Sequence, residues 1–409
     1  MRILEVNKFH YLRGGAEKYF LDITEYLKKQ GHQVAVFSMQ HPKNLPSPQE
    51  KYFVSRISFN EGGLRDKLIA PGRIIYSREA KQKFEKLVKD FQPEIIHIHN
   101  IYHQISPSIL DVAKKYNIPV VMHLHDYKLI CPNYQLFTHN EICYRCRGGK
   151  YYNAVTHCCF KNSLAMSSLV MTEMYLHHKI WQIYEKNIAA YIAPSRFMKD
   201  TCVSFGVPAE KIKLLYNFID TPIAKELPEL GENYLLYFGR LSPEKGIDVL
   251  LRSLVHTKTD LPLRIAGSGP AEANLKKLTE ELGLSSRVKF LGNLSQKDLK
   301  PLIARAKAIV IPSLWLENMP FSLLESLALG KVVIASQTGG LGELIKPGIS
   351  GFLFTRGDSL DLAAKIDSLD KIKLDFMGQK AKQLVFDLTL PHHYRGLLEI
   401  FKEVCAKKS

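Results

Sequence analysis

Glu317 and Glu325 bracket the run Glu317-Asn318-Met319-Pro320-Phe321-Ser322-Leu323-Leu324-Glu325. A carboxylate accepts several hydroxyl hydrogen bonds at once, so two of them at one helix start suit a polyhydroxylated ligand. Pro320 fits a first helical position, where its missing N–H costs nothing, and Gly330 fits a left-handed cap at the far end. This spacing predicts Glu317 in the loop before the helix and Glu325 about a turn and a half inside it. Free N–H groups at such a helix start favour phosphate. The plain alternative is two solvated helix-end glutamates.

Other polar groups stand at predicted strand ends. In Phe238-Gly239-Arg240-Leu241-Ser242-Pro243-Glu244-Lys245-Gly246, Ser242 reads as an N-cap and Pro243 as a first helical residue. That predicts Lys245 in the first turn of a helix and Arg240 at the strand's carboxyl edge. A guanidinium fork and an ammonium point charge together suit a diphosphate. They also suit a leaving group that gains negative charge. Ordinary surface cations at a turn are the alternative. In His123-Leu124-His125-Asp126 the two histidines point the same way if the segment is a strand. His97 and His99, on a neighbouring strand, read as structural. Cys131, Cys143-x2-Cys146 and the pair Cys158-Cys159 have spacing for a four-thiolate structural zinc site, with His139 and His157 as alternative ligands. Free thiols are the competing reading.

The elements that must position these residues are legible as a repeating pattern. Short apolar strands alternate with amphipathic helices from end to end, which predicts an α/β fold with parallel sheets. Strands are predicted at 2–7, 33–39, 95–100, 119–125 and 191–194, then at 234–238, 263–267, 288–291, 308–312 and 332–336. A helix is predicted over 16–30, and a last one over about 391–406. Pro222 and Pro228 mark irregular chain between the halves. The expected domains are 1–195, with a Cys-rich insertion near 131–160, then 196–390, then the final helix 391–409.

The chain has 409 residues, of which 46% are hydrophobic and 23% charged, with mean hydropathy −0.11. No apolar run reaches 18 residues, so no spanning helix is predicted. The apolar stretch at the N-terminus is too short for a leader and reads as a strand. A cytoplasmic protein is expected, in which cysteines are thiols or metal ligands rather than disulfides. The formal charge is +16, and the first half is the more basic. Arg65, Lys67, Arg73, Arg78, Lys81, Lys83, Lys86 and Lys89 concentrate it among apolar residues. Nucleic acid, an anionic membrane surface or an anionic substrate could be the partner; no nucleic-acid motif accompanies the charge, which leaves a membrane surface or an anionic substrate, or a plain solvated face.

Ordered motifs run through both halves. Gly239-Arg240-Leu241 with Lys245-Gly246 comes first, then Ala266-Gly267-Ser268-Gly269-Pro270 and Phe290-Leu291-Gly292. Glu317 to Glu325, Leu329-Gly330 and Gly339-Gly340-Leu341-Gly342-Glu343 follow. The series resembles the family 4 (group 1) retaining glycosyltransferases. Gly14-Gly15-Ala16-Glu17 and His125 extend the resemblance to nearly the whole chain. It implies a GT-B fold: two Rossmann-like domains facing a cleft, with the last helix crossing back to the first. The first domain would bind acceptor and the second a nucleotide diphosphate sugar. Transfer would retain anomeric configuration and need no metal.

Under this resemblance Arg240 and Lys245 hold the donor diphosphate, Glu325 the ribose hydroxyls and Glu317 the donor sugar. The backbone around Phe290 and Asn293 meets the nucleobase. Asn318, Met319 and Phe321 complete the donor-binding set. Gly14 and Gly15 let the first-domain loop approach the donor, and His125 bonds a sugar hydroxyl and positions the acceptor. The catalytic set is therefore His125, Arg240, Lys245 and Glu317. Two departures stand out: Asn318-Met319-Pro320 replaces a frequent Gly or Pro pair, and Phe218 stands where Gly is common. The expected activity moves a hexose or N-acetylhexosamine to a glycan acceptor, a lipid-linked saccharide at the inner face of a membrane, in surface polysaccharide assembly. A nucleotide-sugar epimerase or hydrolase, and a non-catalytic glycan-binding homologue, are the competing classes.

Overall fold

The computed structural model describes residues 1–57, 71–219, 233–371 and 373–407. Arg65, Lys67, Pro222 and Pro228 lie outside the described residues. The chain divides into two units. One comprises Met1–Leu136, Cys143–Tyr216 and Pro391–Ser409, the other Phe137–Ile142 and Asn217–Leu390.

The first unit is built on β1 (Arg2–Val6), β2 (Gln33–Phe37), β3 (Ile95–Ile98), β4 (Val120–His123), β7 (Ala190–Ala193) and β8 (Ile212–Leu214). Two-residue strands β5 (Phe137–Thr138) and β6 (Glu141–Ile142) form a separate antiparallel hairpin. The sheet order is β2-β1-β3-β4-β7-β8, and every pairing in it is parallel. Strands β3, β4 and β7 are buried along their whole length. Parallel sheets are covered on both faces, which is why these strands read as apolar runs.

Helix α1 (Gly15–Lys29) buries Tyr19, Phe20, Ile23 and Leu27, a single face at three- and four-residue spacing. Helix α2 (Arg78–Phe91) starts at Ser77, whose hydroxyl oxygen accepts from the Ala80 N–H. It buries Phe84, Leu87 and Val88, so its apolar stripe belongs to the core. Most cations around it have carboxylate partners. Arg73 and Lys83 both reach Glu79, at 2.7 and 3.0 Å, and Lys81 reaches Asp111 at 3.2 Å. Arg78 and Lys86 are exposed. Helix α3 (Leu164–Tyr175) carries Glu173, whose buried carboxylate meets the buried Lys128 ammonium at 2.7 Å. That pair ties the start of the Cys-rich segment to the helix that follows it.

The second unit repeats the plan with β9 (Leu235–Phe238), β10 (Leu263–Ala266), β11 (Val288–Gly292), β12 (Ala308–Ile311), β13 (Val332–Ser336) and β14 (Gly351–Phe354). Its order is β11-β10-β9-β12-β13-β14, again all parallel. Helices α4 (Ile247–His256) and α5 (Phe321–Ala328) are the two that matter for the site. The last helix, α6 (Leu390–Ala406), belongs to the first unit from Pro391 onward. His393 anchors it there. Its Nδ1 donates to the Tyr216 carbonyl at 2.8 Å, so its Nε2 accepts from the Tyr19 hydroxyl at 2.6 Å.

Predicted strands agree with these to within two residues at each end. The domain boundary does not agree. It falls at 216/217 rather than 195/196, because β8 adds to β7 and extends the first sheet by one strand. Among the described residues no helix is long and apolar enough to cross a membrane.

Candidate active site

Open parallel sheets bind ligands beyond the carboxyl ends of their strands, where the strand order reverses. In the second unit the reversal lies between β9 and β12. Arg240 and Lys245 follow β9, and Glu317 follows β12. Lys245 Nζ lies 2.6 Å from Glu317 Oε1. The Ser313 hydroxyl donates to the same oxygen at 2.6 Å. Lys245 Nζ also stands 4.9 Å from the centre of the Trp315 ring, in cation–π range. Glu317 is only 4% exposed. Burial alone would raise its pKa, but the Lys245 ammonium and the Ser313 hydroxyl hold it below the ordinary value. Both contacts fall on Oε1, and the Trp315 side chain adds a further bond that favours the ionised carboxyl.

Two glycines fix this pair from behind. Gly339 has φ +57°, and a Cβ on it would lie 2.0 Å from the Glu317 carbonyl oxygen. Gly340 N–H donates to that carbonyl at 2.7 Å. Gly246 has φ +66°, and its Cβ would lie 2.1 Å from the Pro312 carbonyl oxygen. This left-handed residue also corrects the sequence expectation for Lys245. Pro243–Lys245 is a separate 3-10 turn, and α4 begins only after Gly246. Ser242 does not cap backbone; its hydroxyl donates to Glu244 Oε1 at 2.6 Å.

Pro320 is the N-cap of α5 rather than its first residue, and Gly330 takes the expected left-handed position at φ +67°. Glu325 is buried in the second turn. Met319 is buried and its carbonyl accepts from the Asn217 side chain at 2.9 Å. Phe218 packs edge-on against Phe321 with ring centres 6.1 Å apart. The departure at 218 thus supplies an aromatic contact to the start of α5. Asn318 is half-buried, Arg240 is exposed past β9, and its carbonyl accepts from Tyr237 Oη at 2.8 Å. Phe290 is half-buried near the end of β11, with the Lys276 ammonium 5.7 Å from its ring centre, and Asn293 is exposed just beyond.

In the first unit the order reverses between β1 and β3. Gly14 and Gly15 follow β1 and are exposed. Gly14 is extended, a conformation any residue adopts, and an added Cβ would meet only Glu17 Oε2 at 3.7 Å. The chain itself therefore does not require glycine at 14. His125 lies just past β4 and stacks on His123 with ring centres 4.5 Å apart, the same-side arrangement that alternation predicts. Burial pushes His125 down to about 3, so its ring is neutral. Burial pushes the neighbouring Asp126 up to about 6, against the pull of the Lys8 ammonium. Lys8 Nζ sits 4.0 Å above the Tyr102 ring. No motif marks Lys8, and only its place directly after β1 could have drawn attention to it.

The cysteines are free thiols. Cys131 Sγ donates to Asn133 Oδ1 at 2.9 Å, and the Asn133 amide donates to the Cys159 carbonyl at 3.2 Å. Cys131, Cys143, Cys146 and Cys159 share one neighbourhood. Burial raises the thiols of Cys131, to about 11, and of Cys159, to about 12, and neighbouring cysteines add to both. Cys158 Sγ donates to the Val155 carbonyl at 3.7 Å. Among the described residues, the one set of three or more ligand atoms within 4.8 Å of one another is Glu5, His97 and His99.

Two Rossmann-like units, each built on a parallel sheet whose strand order reverses, give this chain the GT-B fold. The profile of Glycosyltransferase Family 4 matches residues 13–222, and that of Glycosyl transferases group 1 matches residues 219–384. The chain belongs to this glycosyltransferase family. A relative from Klebsiella pneumoniae, an uncharacterized 42.6 kDa protein in the cps region, is 26% identical over 91% of this chain and 95% of its own. Anabaena HepE in complex with UDP-glucose superposes with TM-score 0.69 at 20% identity, over 98% of this chain and 100% of that one. The lipopolysaccharide outer core galactosyltransferase WaaB superposes with TM-score 0.66 at 18% identity, over 98% and 100%.

The Lys245–Glu317 pair has a measurable signature. Glu317 has a depressed folded-state pKa, so its contribution to stability is present above the unfolded value and fades as pH falls. Lys245→Ala leaves a buried carboxylate unpaired, which costs up to about 3 kcal/mol in the second unit. The deficit relative to the parent should be largest at neutral pH and shrink as pH falls below the ordinary carboxylate range, where the carboxyl protonates. Denaturant unfolding at a series of pH values tests this; a deficit independent of pH would show that the pair contributes nothing.

Proposed function

We propose that the chain transfers a sugar, with retention of configuration, from a nucleotide diphosphate sugar to a glycan acceptor carried on a lipid, in surface polysaccharide assembly. The observation that carries this is the Lys245–Glu317 contact of 2.6 Å at the reversal between β9 and β12. Arg240 and Lys245 hold the diphosphate and meet the charge it gains on leaving. Glu317 meets the donor sugar, and Glu325 serves the ribose hydroxyls. His125 positions the acceptor. The departing phosphate takes the acceptor proton on the same face of the ring, and no metal takes part. UDP-glucose bound to HepE supports a nucleotide-sugar donor, and the cps-region relative supports a surface glycan.

Incubation with UDP-, GDP-, ADP- and dTDP-sugars, alone and with acceptor, tests the reading. Product is expected only when acceptor is present; hydrolysis or isomerisation of donor alone would point to the competing enzyme class. Lys245→Ala and Glu317→Gln should each lower turnover about a hundredfold or more. Near-parental transfer by either would move the site elsewhere.

The Cys-rich segment enters the proposal as a zinc staple formed by Cys131, Cys143, Cys146 and Cys159. Gly148 and Gly149 give the turn after Cys146 its tight path, with φ +73° and +79°. Bound zinc would draw the sulfurs together, to about 2.3 Å from the ion. Protein purified without chelator should contain one zinc per chain, lost in Cys146→Ser. A parent without bound metal ends this part of the proposal.

A lipid-linked acceptor must be reached at a bilayer face. Arg78 and Lys86 project from α2 and would contribute about 1 kcal/mol each near an anionic surface. Sedimentation with anionic vesicles should weaken as salt rises, with little binding to neutral vesicles. Equal binding to both kinds, or to neither, defeats the membrane-surface reading and leaves the transferase reading intact.

A further inference from the structure

Glu5 is a charged residue inside β1, fully buried, and it faces two fully buried histidines of the next strand region. His97 Nδ1 lies 3.0 Å from Glu5 Oε1, and His99 Nε2 lies 2.8 Å from Glu5 Oε2. The other nitrogen of His99, Nδ1, lies 2.9 Å from His125 Nε2. A carboxylate has no proton to give, so the imidazole nitrogens facing it must carry N–H. His99 is then protonated on Nε2. Burial, with neighbouring imidazoles, pushes its pKa well below the ordinary value, so the ring is neutral and Nδ1 is a bare acceptor. His125 must donate to that acceptor from Nε2.

We propose that Glu5 and His99 are positioning residues that fix His125 as the Nε2–H tautomer, with Nδ1 as its accepting nitrogen. The inference rests on the reading of His125 as a sugar- or acceptor-contacting residue. It adds a direction to that contact: the ring accepts a hydrogen bond from a ligand hydroxyl and does not donate one. The tautomer of a functional histidine is set by the bond its other nitrogen makes. Here that bond leads through a second imidazole to a buried carboxylate. A neutral acceptor ring orients a hydroxyl without protonating the leaving group, so the proton remains with the donor phosphate and acceptor. The packing keeps the relay in line. The Tyr19 ring stands 5.6 Å from His99 and 5.3 Å from His125, and its hydroxyl is held by His393 at 2.6 Å.

Long-range proton–nitrogen NMR of the full chain labelled with ¹⁵N-histidine reads the tautomer without any substrate. His125 should show a protonated Nε2 and a bare Nδ1. In His99→Phe that fixed state should be lost, with both tautomers populated, and turnover should fall about a hundredfold through misorientation. In Glu5→Gln, which can accept from only one of its two histidines through its single oxygen, at least one of His97 and His99 should change its protonated nitrogen. A parent with Nδ1 protonated on His125 overturns the proposal, as does a His99→Phe variant with parental tautomer and turnover. If the variants do not fold, the parent spectrum alone decides. The expected tautomer in a chain that transfers no sugar would sink the transferase reading and leave the relay standing.

Discussion

A parallel sheet covered on both faces leaves one region for polar chemistry, the carboxyl ends of its strands. Both units obey this constraint. In the second, Lys245 and Glu317 come from loops after different strands and meet only because β9 and β12 are neighbours. Everything nearby serves that meeting. Gly246 and Gly339 let backbone approach where a side chain could not fit, Ser313 steadies the carboxylate, and α5 starts directly behind it. A buried ion pair is weak evidence for stability, since desolvation opposes the attraction. Its place at the reversal is better evidence for use.

The first unit handles the same constraint differently. Its polar groups penetrate the sheet, with Glu5 in the body of β1 and His97 on β3 as register partners. Such groups are tolerated inside a protein only when bonded to one another. Glu5, His97, His99 and His125 satisfy this as one network, and Tyr19 with His393 as another beside it. The network opens at His125, the member that lies beyond the strand end.

Much of this was legible from residue order. Apolar runs marked ten of the twelve strands in the two large sheets, because full burial makes a strand uniformly apolar. The exceptions are instructive. Strand β8 is three residues long with a lysine at its centre, and β14 opens on glycine, so neither has a clean pattern. Missing β8 displaced the domain boundary. The local structure at Lys245 was not legible, since Ser-Pro mimics a helix start and only tertiary contact with Pro312 demands the left-handed Gly246. Ser313 carries no motif. Glu5 could have been found: a lone carboxylate in an apolar strand, with histidines at alternate positions on another, is a signature of a buried network.

Helix α6 has a consequence for synthesis. The chain completes Asn217–Leu390 before the residues that close the first unit have been made. Domains ordinarily fold in the order in which they emerge, at about 5–20 residues per second. Here the unit begun first is finished last. Until His393 arrives, Tyr19 lacks the bond that anchors the helix, and the histidine network lies beside an incomplete wall. The half that carries His125 is thus complete in sequence only when its final segment, from Pro391 on, has been made.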